Sequence, residues 1–138
     1  MRRMLATVCT IATVVLAGCG SDSSTAPTQA SLAGTWNLTT VNGAALPFAV
    51  QLNPLVEILS DQLVLATNGT FTQSTQARFT DGATVTTQVI PDGGTYTLSG
   101  TAATFRFTDG SSGTATLSSA GNTFTVGEVG FSFVYTKQ

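Results

Sequence analysis

The sequence predicts an all-β fold, and three observations support this prediction. Apolar residues alternate with polar ones, as in Phe105-Arg106-Phe107 and Phe131-Ser132-Phe133, and a period of two is typical of strands with one buried face. Asn-Gly and Asp-Gly pairs separate these runs and supply the positive φ angles that tight hairpins need. Threonine, glycine and serine dominate the polar residues, and they favour strands and turns. Together these signals indicate an antiparallel sandwich or barrel.

We predict nine strands from the alternation and the turn signals. The first contains Trp36 and Leu38 and ends at Asn42-Gly43, and the second has a possible bend at Ser60-Asp61. The predicted strands are 34–41, 55–66, 70–79, 83–90, 94–99, 103–108, 113–118, 122–127 and 130–136.

The segment 44–60 is the most ambiguous part of the chain. Pro47 and Pro54 bracket residues 48–53, where a short strand and a helical turn are both possible. A minor helix in this segment is the only helix that the periodicity allows.

The first 18 residues have the three parts of an export signal. Arg2 and Arg3 precede an uncharged run from Leu5 to Ala17, and small residues follow. This order is typical of a secretory signal peptide. The run is too short to span a bilayer, which takes about 20 apolar residues.

The end of this segment, Leu16-Ala17-Gly18-Cys19, resembles the lipobox of bacterial lipoproteins. That resemblance implies cleavage before Cys19, lipid on its sulfur and an anchor in the cell envelope. Stable anchoring takes more than one acyl chain. Gly20 stands where an aspartate would signal inner-membrane retention, so the resemblance favours the outer membrane in a cell that has one.

The remaining chain divides into a tether and one domain. Residues 19–31 are small and polar and contain Pro27, a composition that predicts a flexible tether. Residues 32–138 are enough for one small domain. After residue 18 the chain has three basic and seven acidic residues, a net charge of −4. This balance lacks the basic footprint of nucleic-acid binding.

The domain resembles the lipocalin-like, or calycin-type, domains of small bacterial lipoproteins. The likeness lies in residues 32–47, 63–72, 94–100 and 131–137, and Gly34-Thr35-Trp36 matches the G-x-W of that family's first strand. The resemblance implies a small antiparallel up-and-down barrel of about eight or nine strands. It also implies closure of one end by Gly34 and Trp36 beneath a basic side chain from the last strand, for which Lys137 is the best-placed residue. A META-type β domain and an immunoglobulin-like sandwich are the alternatives.

The chain lacks the usual catalytic groups. It has no histidine, and its two cysteines are Cys9, in the leader, and Cys19, so common bases, nucleophiles and metal ligands are missing. Glu57 and Asp61 could share one region, but their spacing across a possible bend gives no distance. We therefore predict no catalytic residue, no metal site, no cofactor and no enzymatic activity.

The sequence favours a non-enzymatic envelope protein whose barrel could hold a small apolar ligand. The side chains expected to line the interior are Trp36, Leu38, Phe71, Tyr96, Phe105, Phe131 and Phe133. The simpler interpretation is that these side chains fill the core and leave no cavity. The small size of the domain favours this interpretation. The alternative function is a structural or inhibitory protein that docks on an envelope partner through a sheet face, a loop or an edge strand.

Overall fold

The predicted all-β fold is confirmed. A computed structural model describes residues 27–118 and 120–138 and forms a closed antiparallel barrel of eight strands with two further short strands. The lipidation site predicted at Cys19, the leader 1–18 and most of the predicted tether lie outside the described residues. The elements are α1 (Gln29–Leu32), β1 (Gly34–Val41), β2 (Ala44–Ala45), β3 (Phe48–Leu52), β4 (Leu55–Leu65), β5 (Thr70–Asp81), β6 (Thr84–Ser99), β7 (Ala102–Phe107), β8 (Ser112–Leu117), β9 (Thr123–Glu128) and β10 (Phe131–Lys137).

The barrel closes through the first long strand. From β4 to β10 each strand pairs with the next in the sequence, β10 then pairs with β1, and β1 pairs with β4. In this last pair Gly34 faces Leu65 and Trp36 faces Leu63. Strands β2 and β3 extend the sheet beside β1 and β4. A ring of sequential antiparallel strands is an up-and-down barrel, which excludes the sandwich alternative.

The predicted strands 83–90 and 94–99 form one continuous strand, β6. The prediction of a turn between them, from the Asp92-Gly93-Gly94 sequence, was wrong. The reason is close backbone approach, since a Cβ at Gly94 would overlap the carbonyl oxygen of Arg106. A Cβ at Gly93 would lie 2.9 Å from the carbonyl oxygen of Phe71. Glycine within a strand often marks such a contact, so these two residues let β6 bend with the barrel wall.

The single helix of the described residues lies before the barrel rather than in the segment 44–60, where β2 and β3 form instead. Thr28 caps α1, because its Oγ1 accepts from the backbone N–H of Ser31 at 3.2 Å, as N-cap threonines do. The helix overlaps the last residues of the segment for which we predicted a tether. Leu32, at its end, is buried in the core.

A β-bulge in β4 controls which side chains face the interior. Its register against β5 shifts between Ile58 and Ser60. Ile58 and Asp61 are three residues apart, so on a regular strand their side chains would lie on opposite faces of the sheet. The extra residue of the bulge reverses the alternation, so both side chains face the barrel interior.

The strands β4, β5 and β6 extend beyond the barrel wall. β6 pairs with the whole of β5 through its residues Thr84 to Thr95, whereas its pairing with β7 begins only at Gly94. Residues 84–92 therefore form a sheet edge with no ladder partner on that side among the described residues.

Candidate functional site

One end of the barrel is closed by Trp36 and its neighbours. The Trp36 side chain is fully buried, and its indole N–H donates to the carbonyl oxygen of Leu32 at 2.9 Å. The Lys137 ammonium lies 5.6 Å from the Trp36 ring centroid, within cation–π range, and donates to the carbonyl oxygen of Ser31 at 2.6 Å. Helix α1 thus covers this end.

Gly34 makes room for that arrangement. Its φ is +135°, and a Cβ there would lie 3.0 Å from Cε of Lys137. The structure therefore brings together the three residues predicted for barrel closure, Gly34, Trp36 and Lys137, and places the lysine ammonium above the indole.

Tyr96 also belongs to the closed end. Its hydroxyl donates to the carbonyl oxygen of Ala66 at 2.7 Å, and its backbone carbonyl accepts from the side-chain amide of Gln29 at 3.2 Å. Burial raises the pKa of Tyr96. These contacts link β6, the β4–β5 turn and α1 into one plug.

Beyond this plug the barrel contains a cavity of about 310 Å³. On β10, for example, Phe133 lines the cavity farther from Trp36 than Tyr135, which belongs to both the core and the cavity wall. Seven lining side chains are apolar: Ile58, Leu63, Ile90, Phe105, Phe107, Val126 and Phe133. The polar lining side chains are Asp61, Gln73, Thr75, Asp92, Ser111, Glu128 and Tyr135, and Gly113 completes the wall.

Two of the seven predicted interior residues reach the cavity. Phe105 and Phe133 line it, and Phe105 also belongs to the buried core. The other five pack in or against the solid core: Trp36, Leu38, Phe71, Tyr96 and Phe131. Alternation identifies the face of a strand but not the depth along the barrel axis, so it could not separate the two groups.

Asp61 is the most unusual group in the cavity wall. It is 6% exposed, and its Oδ2 accepts from Nε2 of Gln73 at 2.6 Å and from the hydroxyl of Tyr135 at 2.7 Å. Its other oxygen, Oδ1, is buried without a hydrogen-bond partner in the described structure. Burial raises the pKa of Asp61, and hydrogen bonds from Tyr135, Gln73, Thr75 and the backbone of Gln62 offset part of that increase.

The tyrosine responds to the same environment. Burial, followed by the negative charge of Asp61, raises the pKa of Tyr135, so its hydroxyl stays a hydrogen-bond donor. Buried polar groups are normally satisfied, and an unpaired one typically costs about 1–3 kcal/mol. Asp61 Oδ1 is therefore an exception to the rule that buried polar atoms form hydrogen bonds.

The charges on the cavity wall all have one sign. Asp92 and Glu128 line the cavity with Asp61, and none of the lining residues is a lysine or arginine. Arg78 instead forms an ion pair with Glu57 at 2.7 Å, and Lys137 lies over Trp36. The cavity wall thus carries three carboxyl groups without a basic side chain.

Two negative findings concern the described residues. No group of three or more acidic, histidine or cysteine side chains in ranges 27–118 and 120–138 is arranged to hold a metal ion.

Over the same ranges, none of the helical structure has the length and apolar character required to cross a membrane.

Sequence reasoning did not assign Asp61 to a binding site. The bend considered at Ser60-Asp61 was the usable signal, since a bulge there turns the carboxylate inward. Glu57 and Asp61, considered as a possible pair, do not form one. Glu57 lies opposite Arg78 and binds it, whereas Asp61 binds Gln73 and Tyr135.

Comparison with known proteins agrees with the architecture. Residues 32–126 match the family model described as a lipocalin-like domain. Searches of curated proteins and of solved structures gave no significant match. The match covers more than half of the chain and includes Trp36 and most of the cavity wall. By its sequence match and its closed eight-stranded barrel, the chain belongs to the lipocalin-like domain family.

Proposed function

We propose that this protein is a lipid-anchored lipoprotein of the bacterial cell envelope whose barrel binds one small, largely apolar ligand without transforming it. The observation that supports ligand binding is the cavity of about 310 Å³ inside a lipocalin-like barrel. Binding sites for small molecules typically measure about 300–1,000 Å³, with apolar walls and a few polar groups. Aromatic rings supply much of this wall, since Phe105, Phe107 and Phe133 all face the cavity.

A binding role fits the chemistry of the wall better than catalysis does. Catalytic acids and bases are usually tuned to titrate near the working pH. The Tyr135 pKa is raised above its ordinary value of 10.0, away from that range, although burial moves the Asp61 pKa toward it. Asp61 is fixed by two hydrogen bonds on one oxygen, an arrangement suited to positioning a ligand.

The proposed anchor and the proposed site would lie at opposite ends of the barrel. The lipobox at 16–19 supports attachment through Cys19, and the chain enters the described structure beside α1, at the closed end. The nine residues from Cys19 to Pro27 span at most about 30 Å when extended. The closed end would then face the membrane, and the cavity would open away from it.

The anchor is tested by replacing its sulfur. Cys19→Ser should leave the domain folded but release it from membranes or leave its leader uncleaved. Metabolic labelling with radioactive palmitate measures the lipid directly. Absence of label on the wild-type protein would sink the lipoprotein assignment.

Ligand binding is tested with propylbenzene, a neutral probe of nine carbon atoms, in a titration followed by ¹H–¹⁵N NMR on the full chain. Saturable shifts should concentrate on β4, β7, β8 and β9 around the cavity. Gly113→Leu should abolish them, because a Cβ at Gly113 meets only the Phe107 ring, at 3.8 Å, and the rest of the side chain would enter the cavity.

Gly127→Leu is the matched control. Gly127 lies on the neighbouring strand β9, a Cβ there meets nothing within 4 Å, and the residue does not line the cavity. Equal binding by wild type and both variants would place the probe outside the barrel and overturn the assignment.

Docking on a protein partner is the second candidate function, favoured by the projecting edge of β6. Val85 and Val89 are 59% and 61% exposed, share one face of the strand by alternation, and flank an unpaired edge. Exposed edges accept an added strand. A photo-crosslinking residue at Thr87 should then trap one partner in cells, and Val85→Asp should prevent it. Unchanged crosslinking in that variant would exclude this surface.

A further inference from the structure

The cavity contains one polar requirement that an apolar ligand would not meet. Asp61 Oδ1 is buried and has no hydrogen-bond partner, while Oδ2 of the same carboxyl group has two. Asp61 is itself more than nine-tenths buried and forms part of the cavity wall. A carboxylate accepts hydrogen bonds through both oxygens, so Asp61 keeps accepting capacity that Gln73 and Tyr135 do not use.

The fixed surroundings of Asp61 do not neutralise its charge. The protein donors around Asp61 are all neutral groups: the side chains of Gln73, Tyr135 and Thr75 and the backbone N–H of Gln62. The other charged groups on the cavity wall are Asp92 and Glu128, which share the sign of Asp61. A buried charge is normally paired, because leaving it unpaired is costly. Elsewhere in this barrel Glu57 follows that rule with Arg78.

The apolar part of the cavity suits a cation with a hydrocarbon body. Phe105, Phe107 and Phe133 present aromatic surface, and aromatic rings attract ammonium groups as well as apolar ones. The two further carboxyl groups raise the local concentration of cations by long-range attraction. A volume of about 310 Å³ lies at the lower end of the range for small-molecule sites, which favours a small amine over a long lipid.

We propose that the cavity selects a small organic amine, bound as its ammonium ion beside the Asp61 carboxylate, with an aromatic or branched apolar body packed against Phe105, Phe107 and Phe133. This inference rests on the proposed binding function and specifies its ligand class. Charge-assisted hydrogen bonds are about twice as strong as neutral ones, so Asp61 would supply selectivity and the apolar wall would supply shape.

Three probes of one shape separate the possibilities. 2-Phenylethylamine carries an ammonium group where propylbenzene has a methyl group, and 3-phenylpropanoate carries a carboxylate. On the full chain at pH 7, NMR titration should give at least tenfold tighter binding of 2-phenylethylamine than of propylbenzene. No binding of 3-phenylpropanoate is expected.

Asp61→Asn tests the named contact. An amide keeps the shape of the side chain but removes the charge, so the preference for the amine should fall to within about threefold of propylbenzene. Propylbenzene binding itself should persist, which shows that the variant is folded. Asp81→Asn is the control, because it removes one negative charge from the exposed end of β5, outside the cavity, and should leave the preference unchanged.

The orientation of the bound amine provides a measurement on the wild-type protein, independent of any variant. Nuclear Overhauser contacts should join the methylene next to nitrogen to the side-chain amide of Gln73. Contacts from the phenyl ring to that amide would overturn the proposal.

The outcomes distinguish this inference from the function on which it rests. If propylbenzene binds and the amine binds no tighter, the amine assignment is wrong and the binding function stands. If neither probe binds, both are wrong. If the amine keeps its advantage in Asp61→Asn, Asp61 is not its partner and the proposal fails.

Discussion

At the scale of single residues, the one tryptophan of the chain closes an end of the barrel and does not line the cavity. Trp36 is fully buried, packs against Phe124 at 4.6 Å between ring centroids, and donates to Leu32. Its place in the first strand and its inward side were predictable from alternation with Leu38. The hydrogen bond to the Leu32 carbonyl was not predictable, because it depends on α1, a helix of four residues that is too short to give a periodic pattern.

Trp36→Ala should therefore be strongly destabilising. Truncating a buried aromatic side chain to alanine costs about 3–5 kcal/mol, a large share of the 5–15 kcal/mol typical of domains. Thermal melting measures the loss. Asn37→Ala, on the opposite face, removes only an exposed contact with Gln62 and should be nearly silent. Similar melting of both variants and the wild type would show that Trp36 does not hold the barrel end.

Asp61 should make stability depend on pH in a defined direction. Because its pKa is higher in the folded protein than the ordinary value of 3.8, the folded state binds the proton more strongly. Stability relative to Asp61→Asn is then highest below pH 3.8 and falls as pH rises from there through the raised pKa. Melting curves of both proteins between pH 3 and 8 give this difference, and a difference that grows with pH would contradict the assignment.

At the scale of elements, hairpins were predictable where the turn glycine is exposed. They were not predictable where a glycine instead lets two strands approach closely. The strand predicted at 34–41 agrees with β1, and the last two strands differ from β9 and β10 by one residue at each end. Gly93 and Gly94 carry the same sequence signal as a turn, yet close backbone neighbours, distant in sequence, explain them.

Gly94→Ala tests this explanation. The added methyl group would overlap the Arg106 carbonyl, so β6 and β7 must separate, at a cost of about 1–3 kcal/mol or more, as for other overpacked sites. A glycine that merely formed a turn would tolerate the change far better. Gly127→Ala, in open space, is the control, and chemical denaturation of the two variants compares them. Equal midpoints would contradict close packing at Gly94.

The bulge in β4 places a carboxyl group, that of Asp61, in the barrel interior. It directs both Ile58 and Asp61 inward, although the sequence places them three residues apart. A possible bend was readable from Ser60-Asp61, but the direction of the side chain after it was not. The candidate site was therefore predictable as an apolar barrel interior and unpredictable in its buried carboxylate.

At the scale of the whole molecule, the barrel has a solid half and a hollow half. The solid half contains the Trp36 plug, the Tyr96 hydroxyl network and α1. The hollow half contains the cavity, with its carboxyl groups and aromatic wall. Closure of β1 on β4 follows from the family resemblance rather than from alternation, since local patterns do not report which distant strands pair.

Native mass spectrometry of the protein purified from the cells that make it shows directly whether the hollow half holds a small ligand. We expect a wild-type species that carries one additional small molecule, lost in Gly113→Leu and retained in Gly127→Leu. A wild-type protein without any bound molecule, or the same molecule on all three proteins, would contradict it.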